Sequence, residues 1–75
     1  MNAALIPWAM AEQELKAQSF TPVDTNAYGQ WWQTPWGTTF FVQWLNAQRD
    51  VDSGAFRQQM QELSDQRQAL GRGVH

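Results

Sequence analysis

The chain lacks cysteine, has one histidine and carries only five lysines and arginines in its 75 residues. Each shortage excludes a class of protein. Without cysteine there is no disulfide framework, zinc finger, thioredoxin-like pair or iron–sulfur ligand set. Five basic residues against seven acidic ones give a formal charge of −2, so the basic stripe of a nucleic-acid binder is missing. Long apolar runs are missing as well. The longest charge-free stretch, Thr25 to Gln48, is studded with Gln, Asn, Thr and Gly, and lacks the roughly 20 mostly apolar residues of a spanning helix. At the amino end the first cation is Lys16, and Pro7 interrupts a short apolar run. A secretory leader needs an early positive charge and about 7–15 apolar residues. The expectation is no signal peptide, no transmembrane segment, and a location in the cytoplasm or in a virion.

Length adds a constraint. A chain of this size buries only about 60% of the surface that its unfolded form exposes, which leaves its stability marginal. It reads as one small domain over residues 1–75, helped by a partner since no disulfide is available.

Two residue types are in excess: five tryptophans, where roughly one is the compositional norm, and eleven glutamines. Pro7 suits a first helical turn, and Trp8, Ala11 and Leu15 recur on one helical face. A helix is expected over about 7–19, ended before Pro22. The stretch 22–37 reads as a Trp-rich turn segment, in which Thr34-Pro35-Trp36-Gly37 is placed for a β-turn. For 38–49 two patterns compete. Phe40, Phe41 and Val42 favour a strand, whereas Phe41, Trp44, Leu45 and Gln48 recur at helical spacing behind a capping Thr38 or Thr39. Helix is the leading expectation, and a hairpin of 30–33 with 38–44 is the alternative. A last helix is expected over about 53–70, capped by Asp52 or Ser53 and stopped at Gly71. Its residues Phe56, Met60, Leu63, Arg67 and Leu70 alternate four and three apart, a narrow seam that must lie along a neighbour. The expected fold is therefore mainly α, three helices around an irregular Trp-rich middle, with α+β and a central hairpin as the alternative.

Catalytic groups do not assemble in the sequence. His75 is the last residue, and Ser19, Ser53 and Ser64 have no glycine-elbow context. Glu12 and Glu14 are two apart on a helix and point to different faces. Asp50-Val51-Asp52-Ser53-Gly54 opens like a calcium loop, but positions 5, 6 and 12 are Gly54, Ala55 and Gln61, which cannot ligate as required. No glycine-rich phosphate loop opens a helix. The sequence thus predicts no enzyme, no catalytic residue, no metal ligand and no cofactor.

The aromatic cluster, Tyr28 to Trp44, is the remaining signal. Most of it is expected to be core, because each ring buries 150–250 Å². Trp31 and Trp32, however, are chain neighbours, and in an extended segment they face opposite ways. Base stacking is disfavoured because no cation lies between Lys16 and Arg49 to meet phosphates. Sugar stacking has only Gln30, Gln33 and Gln43 as amide support. Protein contact remains, with Trp31, Trp32 and Trp36 as contact residues together with the seam Phe56, Met60, Leu63 and Leu70. The function expected is a non-enzymatic interaction subunit, such as a minor structural or accessory component of a phage particle, whose partners are other proteins or further copies of itself. A small inhibitor masking a host enzyme or regulator is the second reading. A peptide lying on a membrane surface is the third, weakened by the acidic balance.

Overall fold

The computed structural model describes residues 4–72. Seven elements follow in order: β1 (Leu5–Ile6), α1 (Trp8–Ala17), β2 (Thr21–Asn26), β3 (Gly29–Gln33), β4 (Thr39–Gln43), β5 (Val51–Asp52) and α2 (Ser53–Arg72). The chain is α+β, with two helices and two antiparallel sheets, which corrects the mainly α, three-helix expectation. Strands β2, β3 and β4 form a three-stranded meander, and β1 pairs with β5 in a two-stranded clip. Each strand of the clip leads directly into a helix, so α1 and α2 start from a common point. The Ser53 amide donates to the Ala4 carbonyl at 2.8 Å and tightens it.

The largest correction concerns residues 38–49. Thr39–Gln43 is a strand, and its register sets Trp32 opposite Phe40, Trp31 opposite Phe41 and Gln30 opposite Val42. Burial alternates along it: Phe40, Val42 and Trp44 are inside, while Thr39 and Gln43 are outside. That period of two overrides the helical spacing, because five consecutive β-branched or aromatic residues (38–42) lose rotamer freedom in a helix and gain cross-strand partners in a sheet. The loop that follows is built on Asn46. Its Oδ1 accepts from the Gln48 and Asp50 amides at 3.0 and 3.1 Å, and its Nδ2 donates to Asp50 Oδ2 at 3.0 Å. The expected turn segment 22–37 is likewise mostly strand. Its tight turn at 34–37 does form, closed by the Gly37 amide on the Thr34 carbonyl, with Gly37 at φ 92°.

The two terminal helices are close to expectation, except that Gly71 does not stop the second, which runs on to Arg72. α1 starts after Pro7, whose carbonyl accepts from the Met10 and Ala11 amides, and ends with Ser19 at φ 65°. The Asp52 carboxylate caps α2 by accepting from the Ala55 amide at 3.2 Å. The helix then runs antiparallel to β4. Gln59 Nε2 donates to the Phe41 carbonyl at 2.9 Å, and Gln66 Oε1 accepts from Trp36 Nε1 at 2.7 Å and Thr38 Oγ1 at 2.8 Å. The two glutamines are seven residues apart, about 10.5 Å of helix. Phe41 and Thr38 are three apart, about 10 Å of strand. The matched rises let one helix face grip the strand at two places.

The core lies between the sheet and both helices. It comprises Ala11, Leu15, Phe20, Trp32, Phe40, Val42, Trp44, Val51, Phe56 and Leu63, with Ile6, Trp8, Trp36 and Met60 half-buried against it. Trp8 bridges two other indoles, its ring centroid 6.3 Å from Trp32 and 5.6 Å from Trp44. Phe20 meets Trp36 and Phe40 edge to face at 5.9 and 5.4 Å. The tryptophan surplus is thus largely a means of filling a small core with few side chains. It has a cost. Trp32 Nε1, Trp44 Nε1 and Gln30 Oε1 are buried and find no hydrogen-bond partner among the described residues, and each such group typically costs about 1–3 kcal/mol.

Candidate functional site

The covered face of the meander carries Gln30, Trp32, Phe40 and Val42, while its other face carries Trp31, Gln33, Thr39, Phe41 and Gln43. Both helices lie on the covered face. On the open one, Trp31 stands beside Phe41, ring centroids 5.1 Å apart at 54°. The Phe41 ring also lies over Gly29, where an added Cβ would sit 2.7 Å from Phe41 Cζ and collide with the Val42 carbonyl. Glycine is therefore required there to let the ring lie flat. Trp31 remains 40% exposed although it packs on Phe41. Around the pair stand exposed Thr21, Asp24, Gln33, Thr39 and Gln43.

Charge is distributed unevenly. Of the charged side chains, only Asp24 belongs to the meander; all others lie on the helices or in the segment 49–52. The open face is thus an aromatic pair ringed by amides and hydroxyls. Such a surface can bury a flat apolar centre against a partner and satisfy its rim with neutral hydrogen bonds. It offers no nucleophile, no imidazole and no second carboxylate.

Neither edge of the meander is open to strand addition. β2 is exposed throughout, but it carries Pro22, which cannot donate, Asp24, and an irregularity in register between them. All three features blunt an edge. The β4 edge faces α2 through the Gln59 contact. Between them a cleft of about 310 Å³ is lined by Phe41, Leu45, Val51, Gln58, Gln59 and Glu62, among others. A second, shallow groove of about 510 Å³ runs between α1 and α2, with Ile6, Met10 and Phe56 as its apolar lining and Glu14 and Arg57 among its polar ones.

The residues expected to contact a partner are divided by the fold. Trp31 is on the open face. Trp32 is fully buried and belongs to the core. Trp36 is half-buried in the β3–β4 turn, its indole N–H held by Gln66. In the helical seam, Phe56 and Leu63 are buried within this chain and Met60 is half-buried, accepting from Gln18 Nε2 at its sulfur. Leu70 is exposed, one turn beyond Gln66, which bonds to the β3–β4 turn. Phe41 is absent from the expected contacts because the aromatic cluster is read mostly as core, on the area that each ring buries. Its alternation with Phe40 and Val42 was the signal that marked it as outward.

Three of the acids have structural partners: Asp52 caps α2, Asp50 holds Asn46, and Glu12 lies 3.8 Å from Lys16 one helical turn on. Among the described residues no three metal-ligating side chains gather, and no helix is long and apolar enough to cross a membrane. His75 lies outside the described residues. No protein-family model, curated protein or solved structure matches the chain.

Proposed function

We propose that this chain is a non-enzymatic interaction module that docks another protein chain on the open face of its meander. The observation that carries this reading is the Trp31–Phe41 pair, 5.1 Å apart, with Trp31 exposed and Phe41 half-buried beside it, on a meander whose sole charged residue is Asp24. A solvated face of an antiparallel sheet normally alternates to polar residues. Here the polar residues form the rim and the centre is aromatic, the arrangement of a binding hot spot. Assignment to a phage particle rests on size and composition alone. The inhibitor reading draws support from a core that both helices and the sheet complete without outside help.

The test is site-specific photo-crosslinking of the tagged chain in its native cells, with the reactive residue at Thr39 on the open face or at Gln68 on exposed α2. Protein adducts are expected from Thr39 and not from Gln68. No adduct from Thr39 would overturn the docking assignment.

A further inference from the structure

We propose that the partner docked on the open face is basic and lays an extended segment, with two arginines or lysines, along the cleft between β4 and α2. The proposal rests on the docking reading above and adds the partner's chemistry. Phe41 joins the two surfaces, because its ring packs on Trp31 and also lines the cleft. With Leu45, Val51 and Phe56 it makes the apolar wall, and Asp52 and Glu62 are the charged residues of the lining. The meander adds Asp24 and no cation. Face and cleft together carry only negative charge.

The cations are held elsewhere. Lys16 is 3.8 Å from Glu12, Arg49 lies 4.3 Å from the centre of the Trp44 ring, and Arg57 lines the groove between α1 and α2. Glu62 is exposed and has no ion pair or hydrogen-bond partner among the described residues. Asp52 accepts from the Ala55 amide through one oxygen, which leaves its second for a ligand. A carboxylate only accepts and a guanidinium or ammonium only donates, so the two match. An apolar wall with acids at its ends suits a side chain that has an apolar stem and a cationic head. An acidic partner would meet like charge, and a neutral one would desolvate Glu62 without pairing it.

Spacing sets the form of the segment. Asp52 caps α2 and Glu62 stands ten residues on, about 15 Å along the helix. A cleft of about 310 Å³ over that length is too narrow for a helix about 10 Å across and admits a single extended chain. An extended chain advances about 3.3 Å per residue and turns alternate side chains to one side. Two basic residues four positions apart therefore span about 13 Å and reach both acids. Gln59 crosses to the Phe41 carbonyl midway, so the segment lies over the cleft without joining the sheet.

Fluorescence anisotropy of the full chain tests this in about 20 mM salt, where charge is least screened. The probe is a labelled nonapeptide of serines and leucines with arginines at its third and seventh positions. Binding is expected, and should be at least about tenfold weaker when both arginines are replaced by citrulline, which keeps the shape and loses the charge. Glu62→Gln and Asp52→Asn, the latter still able to cap α2, should each weaken binding about threefold and together about tenfold. Gln68→Ala should not change it. Circular dichroism melts check that each variant folds. Equal binding of the arginine and citrulline peptides, binding of neither at about 1 mM, or binding that survives the double substitution overturns the proposal. The same double substitution should cut Thr39 crosslinking in native cells several-fold. Adducts undiminished by it overturn the basic partner and leave the docking reading standing. If Thr39 gives no adduct at all, both fail.

Discussion

The two faces of the three-stranded meander are made from the same kinds of residue and meet opposite fates. Trp32 and Trp31 are adjacent in the chain; one is fully buried beneath Trp8 and the other looks into solvent. Phe40 and Phe41 divide likewise, Phe40 buried in the core and Phe41 half-buried on the other face. The covered face is closed by two helices that arise from the β1–β5 clip. The open face has aromatic content without a cover. Hydrophobic composition therefore does not distinguish the covered face from the open one here. What distinguishes them is which parity of strand positions the helices cover, and each face depends on the other: the pleat that carries Trp32 inward carries Trp31 outward.

The sharpest way to break this comparison is to truncate the two tryptophans separately. Trp32→Ala removes a buried indole and should cost about 3–5 kcal/mol in urea denaturation, enough to unfold a marginal domain. Trp31→Ala, measured on dilute chain, should cost about 1–2 kcal/mol, since it loses its packing on Phe41 but no core volume. Equal losses for the two would mean that the open face is also core.

Along α2 the same contrast holds between Leu63, which is buried, and Leu70, which is exposed. Leu63→Ala should cost about 2–5 kcal/mol and Leu70→Ala should lie within about 0.5 kcal/mol of wild type, by the same denaturation. A large loss at Leu70 would show that the helix end is packed.

Gly29→Ala sharpens the account of the open face. The new methyl meets the Phe41 ring and the Val42 carbonyl, so strand pairing must shift, at about 1–3 kcal/mol. Adding Phe41→Leu removes the ring and should recover part of the loss, read from thermal melts of the single and double variants.

A modest effect is expected at Gln66, whose carbonyl oxygen accepts from both Trp36 and Thr38 at the surface. Gln66→Ala should cost about 1 kcal/mol. Hydrogen exchange should rise in the last turns of α2 while β3 and β4 keep their protection. Unchanged exchange there would show that the glutamine grip does not anchor the helix end.

Local chemistry alone placed both terminal helices, because their signals are contained within a turn or two of chain. Pro7 opens one, Asp52 caps the other, and the spacings of Ala11–Leu15 and Phe56–Leu63 mark their buried faces. The turn at 34–37 was legible for the same reason, from Pro35 and Gly37. That Trp31 and Trp32 must separate also followed from the sequence, but not which of them would go inside. Residues 38–49 carried both a strand pattern and a helical one, and local propensities differ by too little to choose between them. Pairing with Gly29–Gln33 decided it, since a strand in register gains cross-strand partners that a helix there would lack. The same pairing placed Phe41 beside Trp31 and so created the open aromatic face. It exists because residues ten apart in sequence meet across a hairpin whose covered side was chosen by two distant helices, a choice that only tertiary packing makes.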